Sequence, residues 1–349
     1  MTTKFVKINE VSSGQSTSAL QQAGEILRRG GLVVFPTETV YGLGGDGTNA
    51  DSARAIYAAK GRPADNPLII HIAFPEDAEK YTETSDLYFR LAERFMPGPL
   101  TVILTAKPVI PPEVRAGLDT VAVRCPSHPV AHALICAAGV PIAAPSANLS
   151  GKPSPTCAAH VKDDMDGRVD MIIDGGDSEV GLESTIVKME GDGSLTLLRP
   201  GAVTLDDLLT VTDRVTVADA VTGQLAPGEI VLSPGMKYKH YAPDAPFYLL
   251  DGTDEEIFSF LKTKEGRIAV LTYEEDLDAW RDGLPDKDFY AFGRRNNRVE
   301  QAHLLFHLLR EIDKRGYTAI YAPLPAKDGI GLALYNRMIR AAAHQIIKL

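Results

Sequence analysis

Short runs of β-branched and apolar residues alternate with longer amphipathic stretches along the first part of the chain. "GGLVVFPT" (30–37), "PLIIHIA" (67–73), "LTVILTA" (100–106), "TVAVRCP" (120–126), "PIAAPSAN" (141–148), "VDMIID" (169–174), "STIVKME" (184–190) and "SLTLLRPG" (194–201) read as strands, each bounded by Gly, Pro or Asp. Helical spacing runs near 17–29, 51–60, 85–96, 128–138 and 155–163. Interleaved strands and helices predict an α/β sheet, and the short gap between the last two strands predicts a hairpin, so the sheet is mixed. From 203 to 246 the pattern weakens into a proline-rich stretch that reads as a structured linker. Beyond it "FYLLDG", "RIAVLTY", "DFYAFG" and "YTAIYAP" alternate with helices near 253–263, 299–315 and 328–347, predicting a second α/β unit of the doubly wound kind. The boundaries fall at 1–205, 206–245 and 246–349.

A chain of 349 residues suits two such domains. The formal net charge of -10 argues against a protein whose main work is coating nucleic acid, while leaving room for a local basic pocket. Cys125, Cys136 and Cys157 form no C-x-x-C pair, so neither a disulfide framework nor a zinc ribbon is indicated. No apolar leader or membrane-length run occurs, and the expectation is a soluble cytoplasmic protein without membrane association.

Several attractive patterns fail. "GLGGDG" (42–47) matches G-x-G-x-x-G but sits past its strand with no acidic strand end to follow, and is expected to be a flexible loop. No P-loop motif occurs. His303 and His307 share a helix face without a zincin glutamate or a third ligand, so no metal is assigned.

The stretch "AIYAAKGRPADNPLIIHIA" (55–73) is more informative. Asp51 is expected to cap the helix, Gly61 to end it and Pro63 to stop it, which leaves Lys60 and Arg62 at its C-terminus. Complementing the helix dipole explains Lys60 about as well as catalysis does. His71 shares a strand face with Ile69 and Ala73, and a core histidine is the ordinary explanation. Arg124 ends "TVAVR", where a half-buried guanidinium needs a partner, for which Asp119 is the candidate. "APSANLSGKPSPT" (144–156) begins where a strand ends and offers Ser146, Asn148, Ser150 and Ser154; turn formation accounts for Asn148 and Ser150. The gathering of cations, His71 and hydroxyls near strand ends favours an anion site.

With these residues in view, the chain resembles the threonylcarbamoyl-AMP synthase family in its long two-domain form. The carriers, in order, are "PTETVYGLG" (36–44), "KGRPADNPL" (60–68), "APSAN" (144–148), "GLESTIV" (181–187), "LRPGA" (198–202) and "SPGMKYKHYAP" (233–243). The resemblance implies a YrdC-like twisted mixed-sheet domain followed by a smaller Rossmann-like domain. It implies formation of L-threonylcarbamoyl-adenylate and pyrophosphate from L-threonine, bicarbonate or CO2, and ATP. The product would pass to a downstream tRNA threonylcarbamoyl transferase complex, so tRNA is met at most indirectly.

By the same resemblance, Thr39, His71, Arg124, Ala144 and Ser184 would hold threonine. Arg62, Asn66, Thr120, Ser146, Ser154, Arg199 and Tyr238 would face ATP, and Lys60, Arg62, Ser146 and Asn148 would be catalytic. Mg2+ is expected with ATP, without a dedicated carboxylate; Glu183 is merely close in sequence to Ser184. No organic cofactor is implied. The linker that carries Tyr238 would act as a lid, with Gly235 its hinge. Two competing readings are a carbamoyl-transfer module of hydrogenase maturation, whose zinc cysteine pairs are missing here, and a double-stranded RNA-binding module, which the acidic total opposes. Arg294, Arg295 and Arg298 form either a docking patch or a solvated loop.

Overall fold

The computed structural model describes residues 2–223 and 241–349, so Gly235 and Tyr238, with the expected hinge and lid, lie outside the described residues. Contacts divide the described chain into one unit of residues 2–150 and 154–223 and another of 151–153 and 241–349. No helix among the described residues is long and apolar enough to cross a membrane.

The strands of the first unit are β1 (Lys4–Lys7), β2 (Val33–Phe35), β3 (Gly42–Asp46), β4 (Ile69–His71), β5 (Leu100–Thr105), β6 (Thr120–Arg124), β7 (Ile142–Ala144), β8 (Met171–Asp174), β9 (Thr185–Met189), β10 (Leu195–Arg199) and β11 (Val215–Val217). They form one mixed sheet in the order β1-β8-β2-β3-β7-β4-β6-β5-β9-β10-β11. The expected hairpin is present, with β9 and β10 antiparallel. Its helices are α1 (Gly14–Arg28), α2 (Ala50–Lys60), α3 (Ala78–Tyr81), α4 (Asp86–Phe95), α5 (Pro129–Ala138), α6 (Ala158–Met165) and α7 (Leu205–Leu209). Leu20 and Leu27 of α1 and Leu134 of α5 bury against Val33, Phe35 and Met171 of the sheet. That packing turns one sheet face into core.

Two sequence expectations need correction here. "GLGGD" is no flexible loop: it is β3, every residue of it buried. Its glycines answer to packing, since a Cβ on Gly44 would lie 2.6 Å from Ile142 Cγ2 and 2.9 Å from Phe35 Cε1. Close neighbours override the low strand preference of glycine. The cap of α2 is Asn49 rather than Asp51, because the chain is still extended at Asn49 and its Oδ1 accepts from the Asp51 N–H at 2.9 Å. Gly61 ends α2 as expected, in the left-handed conformation at φ 61°.

The second unit carries β12 (Phe247–Asp251), β13 (Ile268–Thr272), β14 (Asp288–Ala291), β15 (Ala319–Pro323) and β16 (Ile346–Lys348), all parallel, in the order β14-β13-β15-β12-β16. Helices α8 (Asp254–Lys262), α9 (Leu277–Gly283), α10 (Arg298–Asp313) and α11 (Gly331–Ala341) connect them. The helix expected over 328–347 stops at Ala341, where Ala343 and His344 take positive φ and turn the chain into β16 beside β12. The arginines of "GRRNNR" are paired with acids. Arg295 bonds Asp254 and Asp276 over the Tyr273 ring, Arg294 meets Glu274 and Arg298 meets Asp328.

Candidate active site

Strand register distributes the candidate residues. In the parallel pair β4–β6, Ile69 lies beside Ala122 and His71 beside Arg124; in the antiparallel pair β4–β7, Ile69 lies beside Ala144 and His71 beside Ile142. Arg124 therefore ends the ladder beside His71, while Thr120 heads β6 on the side of Asn66 and Ser146. Four residue steps along the strand separate Thr120 from Arg124, about 13 Å.

At the Arg124 end, Arg124 and His71 are both buried. The partner of Arg124 is not Asp119, whose side chain is fully exposed and 4.0 Å from Arg115, but Glu38. Asp119 precedes Thr120 and so sits at the far end of β6 from Arg124. Arg124 Nη2 lies 2.8 Å from Glu38 Oε1 with both side chains buried, and Arg124 Nε donates to Gly98 O at 3.4 Å. Burial pushes the Glu38 carboxyl up, but the Arg124 charge and the nearby backbone N–H groups of Glu38 and Ser127 outweigh it and hold it below its ordinary pKa. Neither Glu38 oxygen nor Arg124 Nη2 is in hydrogen-bonding geometry with any described group.

His71 Nδ1 donates to Ile142 O at 3.2 Å, which leaves Nε2 as an acceptor. Burial first, and the Arg124 charge second, push the imidazole down to about 3, so it is neutral. Thr39 is held by its neighbour: the Thr37 hydroxyl donates to Val40 O at 2.6 Å, so Thr39 Oγ1 supplies the proton of the 2.9 Å contact between the two threonines. Ser184 Oγ bonds Thr101 Oγ1 at 2.8 Å, and Thr101 stands opposite Arg124 in β5. Arg199 donates through Nε to Ser184 O at 2.9 Å and through Nη2 to Ser184 Oγ at 3.0 Å. Arg199 is thus gathered with Ser184 rather than with Lys60.

The second group forms around the end of α2. Lys60 is buried, and its Nζ donates to Ser146 O, to Asn148 O at 2.6 Å and to Asn148 Oδ1 at 3.4 Å. Ser146 Oγ donates to the same Asn148 Oδ1, and the Ser150 N–H returns a bond to Lys60 O at 3.0 Å. Arg62 donates to Asn66 O at 3.0 Å and to Pro67 O at 3.3 Å, with its guanidinium 5.9 Å from the Tyr57 ring centroid. The Asn66 amide is buried, and neither its oxygen nor its nitrogen has a hydrogen-bond partner among the described residues. A satisfied fold does not leave such a group, so it fits a ligand contact. Ser154 Oγ donates to Glu183 Oε1, beside Ser184.

Sequence reasoning missed Glu38 and Thr101. The signal for Glu38 was an acid in an otherwise apolar and hydroxylic "PTETV", facing an arginine that needed a partner.

A family model described as "Telomere recombination" matches residues 25–201, and one described as "Threonylcarbamoyl-AMP synthase, C-terminal domain" matches residues 203–343. Threonylcarbamoyl-AMP synthase of Bacillus subtilis is 44% identical over 335 residues, covering 94% of this chain and 94% of that protein. The chain belongs to the threonylcarbamoyl-AMP synthase family. The threonylcarbamoyl-AMP synthase of Pyrococcus abyssi is 42% identical, covering 93% of this chain and 94% of its own. A crystal structure of P. abyssi Sua5 complexed with L-threonine superposes with a TM-score of 0.89 at 39% identity, over 99% of this chain and 100% of that one. E. coli YciO, 26% identical, covers 58% of this chain with a TM-score of 0.51.

Proposed function

We propose that this chain is an L-threonylcarbamoyladenylate synthase, acting on L-threonine, bicarbonate or CO2, and ATP. The observation that carries the reading is the pair of buried polar clusters at opposite ends of the β4–β6–β7 ladder, one matched to an amino acid and one to a nucleotide. The P. abyssi relative, complexed with L-threonine, supports the first assignment.

At one end Arg124 receives the threonine carboxylate, a geometry that a guanidinium fork suits. Thr39 and Ser184 supply neutral hydroxyls around the amino acid, and His71 a neutral acceptor in Nε2. At the other end Arg62, Asn66, Thr120 and Ser146 meet ATP, while Ser154, bonded to Glu183 beside Ser184, reaches it from the threonine side. Lys60 holds the Ser146–Asn148 turn to the end of α2, so its charge stands beside the phosphates while its N–H groups fix the turn. Arg199, tied to Ser184, reaches the nucleotide from the threonine side.

The threonine ammonium first gives up a proton to solvent; the free amine then attacks CO2, and a second proton leaves the nitrogen for solvent as the carbamate forms. A carbamate oxygen then attacks the α-phosphorus; the new P–O bond forms as the bond to pyrophosphate breaks. No covalent bond to the protein is required, and the work of the site is positioning and charge neutralisation.

Mg2+ accompanies ATP. The nucleotide-side groups are cations, hydroxyls and amides, and Glu183 is engaged by Ser154. That donor set fits an ion held mainly through phosphate oxygens rather than in a protein cage. Bound there, it would neutralise phosphate charge. The adenylate is an activated acyl group that a downstream tRNA-modifying transferase would consume.

The test is pyrophosphate release by the purified protein with each component omitted in turn. Release that needs threonine and bicarbonate together supports the reading; release indifferent to threonine overturns it.

A further inference from the structure

The charges at the Arg124 end do not balance around a bound amino acid unless one more group takes part. L-Threonine enters as a zwitterion, with one carboxylate and one ammonium. Arg124 meets the carboxylate, yet Arg124 already carries a buried counter-charge in Glu38 at 2.8 Å. With the substrate carboxylate added, two anions would share one guanidinium, and the ammonium would have no counter-charge. His71 cannot supply either sign, being neutral with Nδ1 committed to Ile142 O. The hydroxyls of Thr39 and Ser184 are neutral too.

Glu38 has what is missing. Its two carboxylate oxygens are sealed from solvent; Arg124 lies 2.8 Å from Oε1 and the Glu38 and Ser127 N–H groups are nearby, yet neither oxygen is in full hydrogen-bonding geometry with a described group. The carboxylate therefore keeps acceptor capacity that a donor arriving with the ligand can fill. Glu183, the other buried acid in reach by sequence, is already taken by the Ser154 hydroxyl. The Glu38 and Arg124 charges both act on His71, which places Glu38, Arg124 and the imidazole in one electrostatic neighbourhood.

We propose that Glu38 recognises the amino group of the bound amino acid, so that Arg124 and Glu38 together form a zwitterion clamp. Without substrate the two side chains neutralise each other. With substrate, carboxylate and ammonium insert as a complementary pair, and the net charge of the pocket stays at zero. Glu38 is thereby the residue that selects an α-amino acid over an α-hydroxy acid. This inference rests on the proposed synthase activity.

The test compares equilibrium binding of L-threonine and of 2,3-dihydroxybutyrate, in which a hydroxyl replaces the amino group, to wild-type protein and to Glu38→Gln, with ATP affinity measured alongside. Wild-type protein is expected to prefer threonine by at least roughly 100-fold, less than the factor of about 10^4–10^5 with which such sites reject an analogue lacking the group, because the replacing hydroxyl still donates one bond. Glu38→Gln should bind threonine at least about tenfold more weakly, as loss of a charge-assisted bond requires, and should lose most of the preference with ATP affinity unchanged. Retention of the full preference in folded Glu38→Gln overturns the clamp and leaves the synthase reading standing. Failure of wild-type protein to bind threonine overturns both. Should Glu38→Gln not fold, Glu38→Asp keeps the charge for Arg124 but withdraws it from the ligand; an intermediate preference supports the clamp, and a wild-type preference overturns it.

Discussion

Lys60 Nζ, at the last turn of α2, donates to the main-chain oxygens of Ser146 and Asn148, so a single ammonium joins a helix end to the turn that follows β7. The dipole of α2 gains from the same charge, but burial and three acceptors show that the residue does more than complement a helix end.

Replacing Lys60 by Ala strands those two carbonyls and loosens the turn. The expected cost is about 1–3 kcal/mol in urea denaturation, together with loss of threonine-dependent pyrophosphate release by at least roughly 100-fold. Lys60→Arg is not expected to restore either, because a planar fork cannot point its donors as an ammonium does. Near-normal release from Lys60→Ala would contradict the role given to it.

Arg124→Ala leaves Glu38 as a lone buried carboxylate, and the expected destabilisation is about 3–5 kcal/mol. The double variant Arg124→Met with Glu38→Leu removes both charges and should recover most of that stability while binding no threonine. A double variant no more stable than Arg124→Ala would show that the ion pair is not the source of the loss.

His71 predicts a specific acid sensitivity. Its pKa falls from an ordinary 6.5 to about 3 on folding. Between those values the unfolded chain binds a proton that the folded chain refuses, so stability is complete above pH 6.5 and declines as pH falls toward 3. The size approaches roughly 5 kcal/mol at the acid limit. Glu38, lowered on folding, acts in the same direction but below its own ordinary pKa of 4.5. Denaturation midpoints measured between pH 4.5 and 6.5 should therefore fall less steeply in His71→Gln than in wild type; equal slopes would count against a buried neutral imidazole.

Gly201→Ala tests how closely "LRPG" approaches the threonine pocket. A Cβ there would lie 2.5 Å from Thr185 N and 2.9 Å from Glu183 O, both backbone atoms flanking Ser184. Backbone must move, and the expected effect is about 1–3 kcal/mol of stability with a raised KM for threonine. An unchanged KM would mean that Ser184 is not set by this contact.

Most strands were legible because their β-branched runs are bounded by breakers, and the mixed sheet followed from the β9–β10 hairpin spacing. β3 was not, since three of its five residues are glycine, which has little strand preference and gains its conformation here from Phe35, Ile142 and α2. β16 and α9 escaped because each is short: the first depends on pairing with β12 and the second on burying Trp280. At the site, Lys60, Arg62, His71 and Arg124 were readable as cations and a histidine near strand ends. Glu38 was not, because the partner of Arg124 comes from a loop 86 positions earlier in the sequence. No period or spacing encodes such a pairing.

The ladder of β4, β6 and β7 also has a meaning for inhibitors. Strand geometry, not a loop, fixes how far His71 and Arg124 stand from Thr120. A molecule joining an amino-acid head to a nucleotide tail would meet both ends at a set span and lose its freedom of motion only once. Its affinity should therefore depend sharply on the length of the tether, which makes the sheet a ruler against which two-headed ligands can be cut.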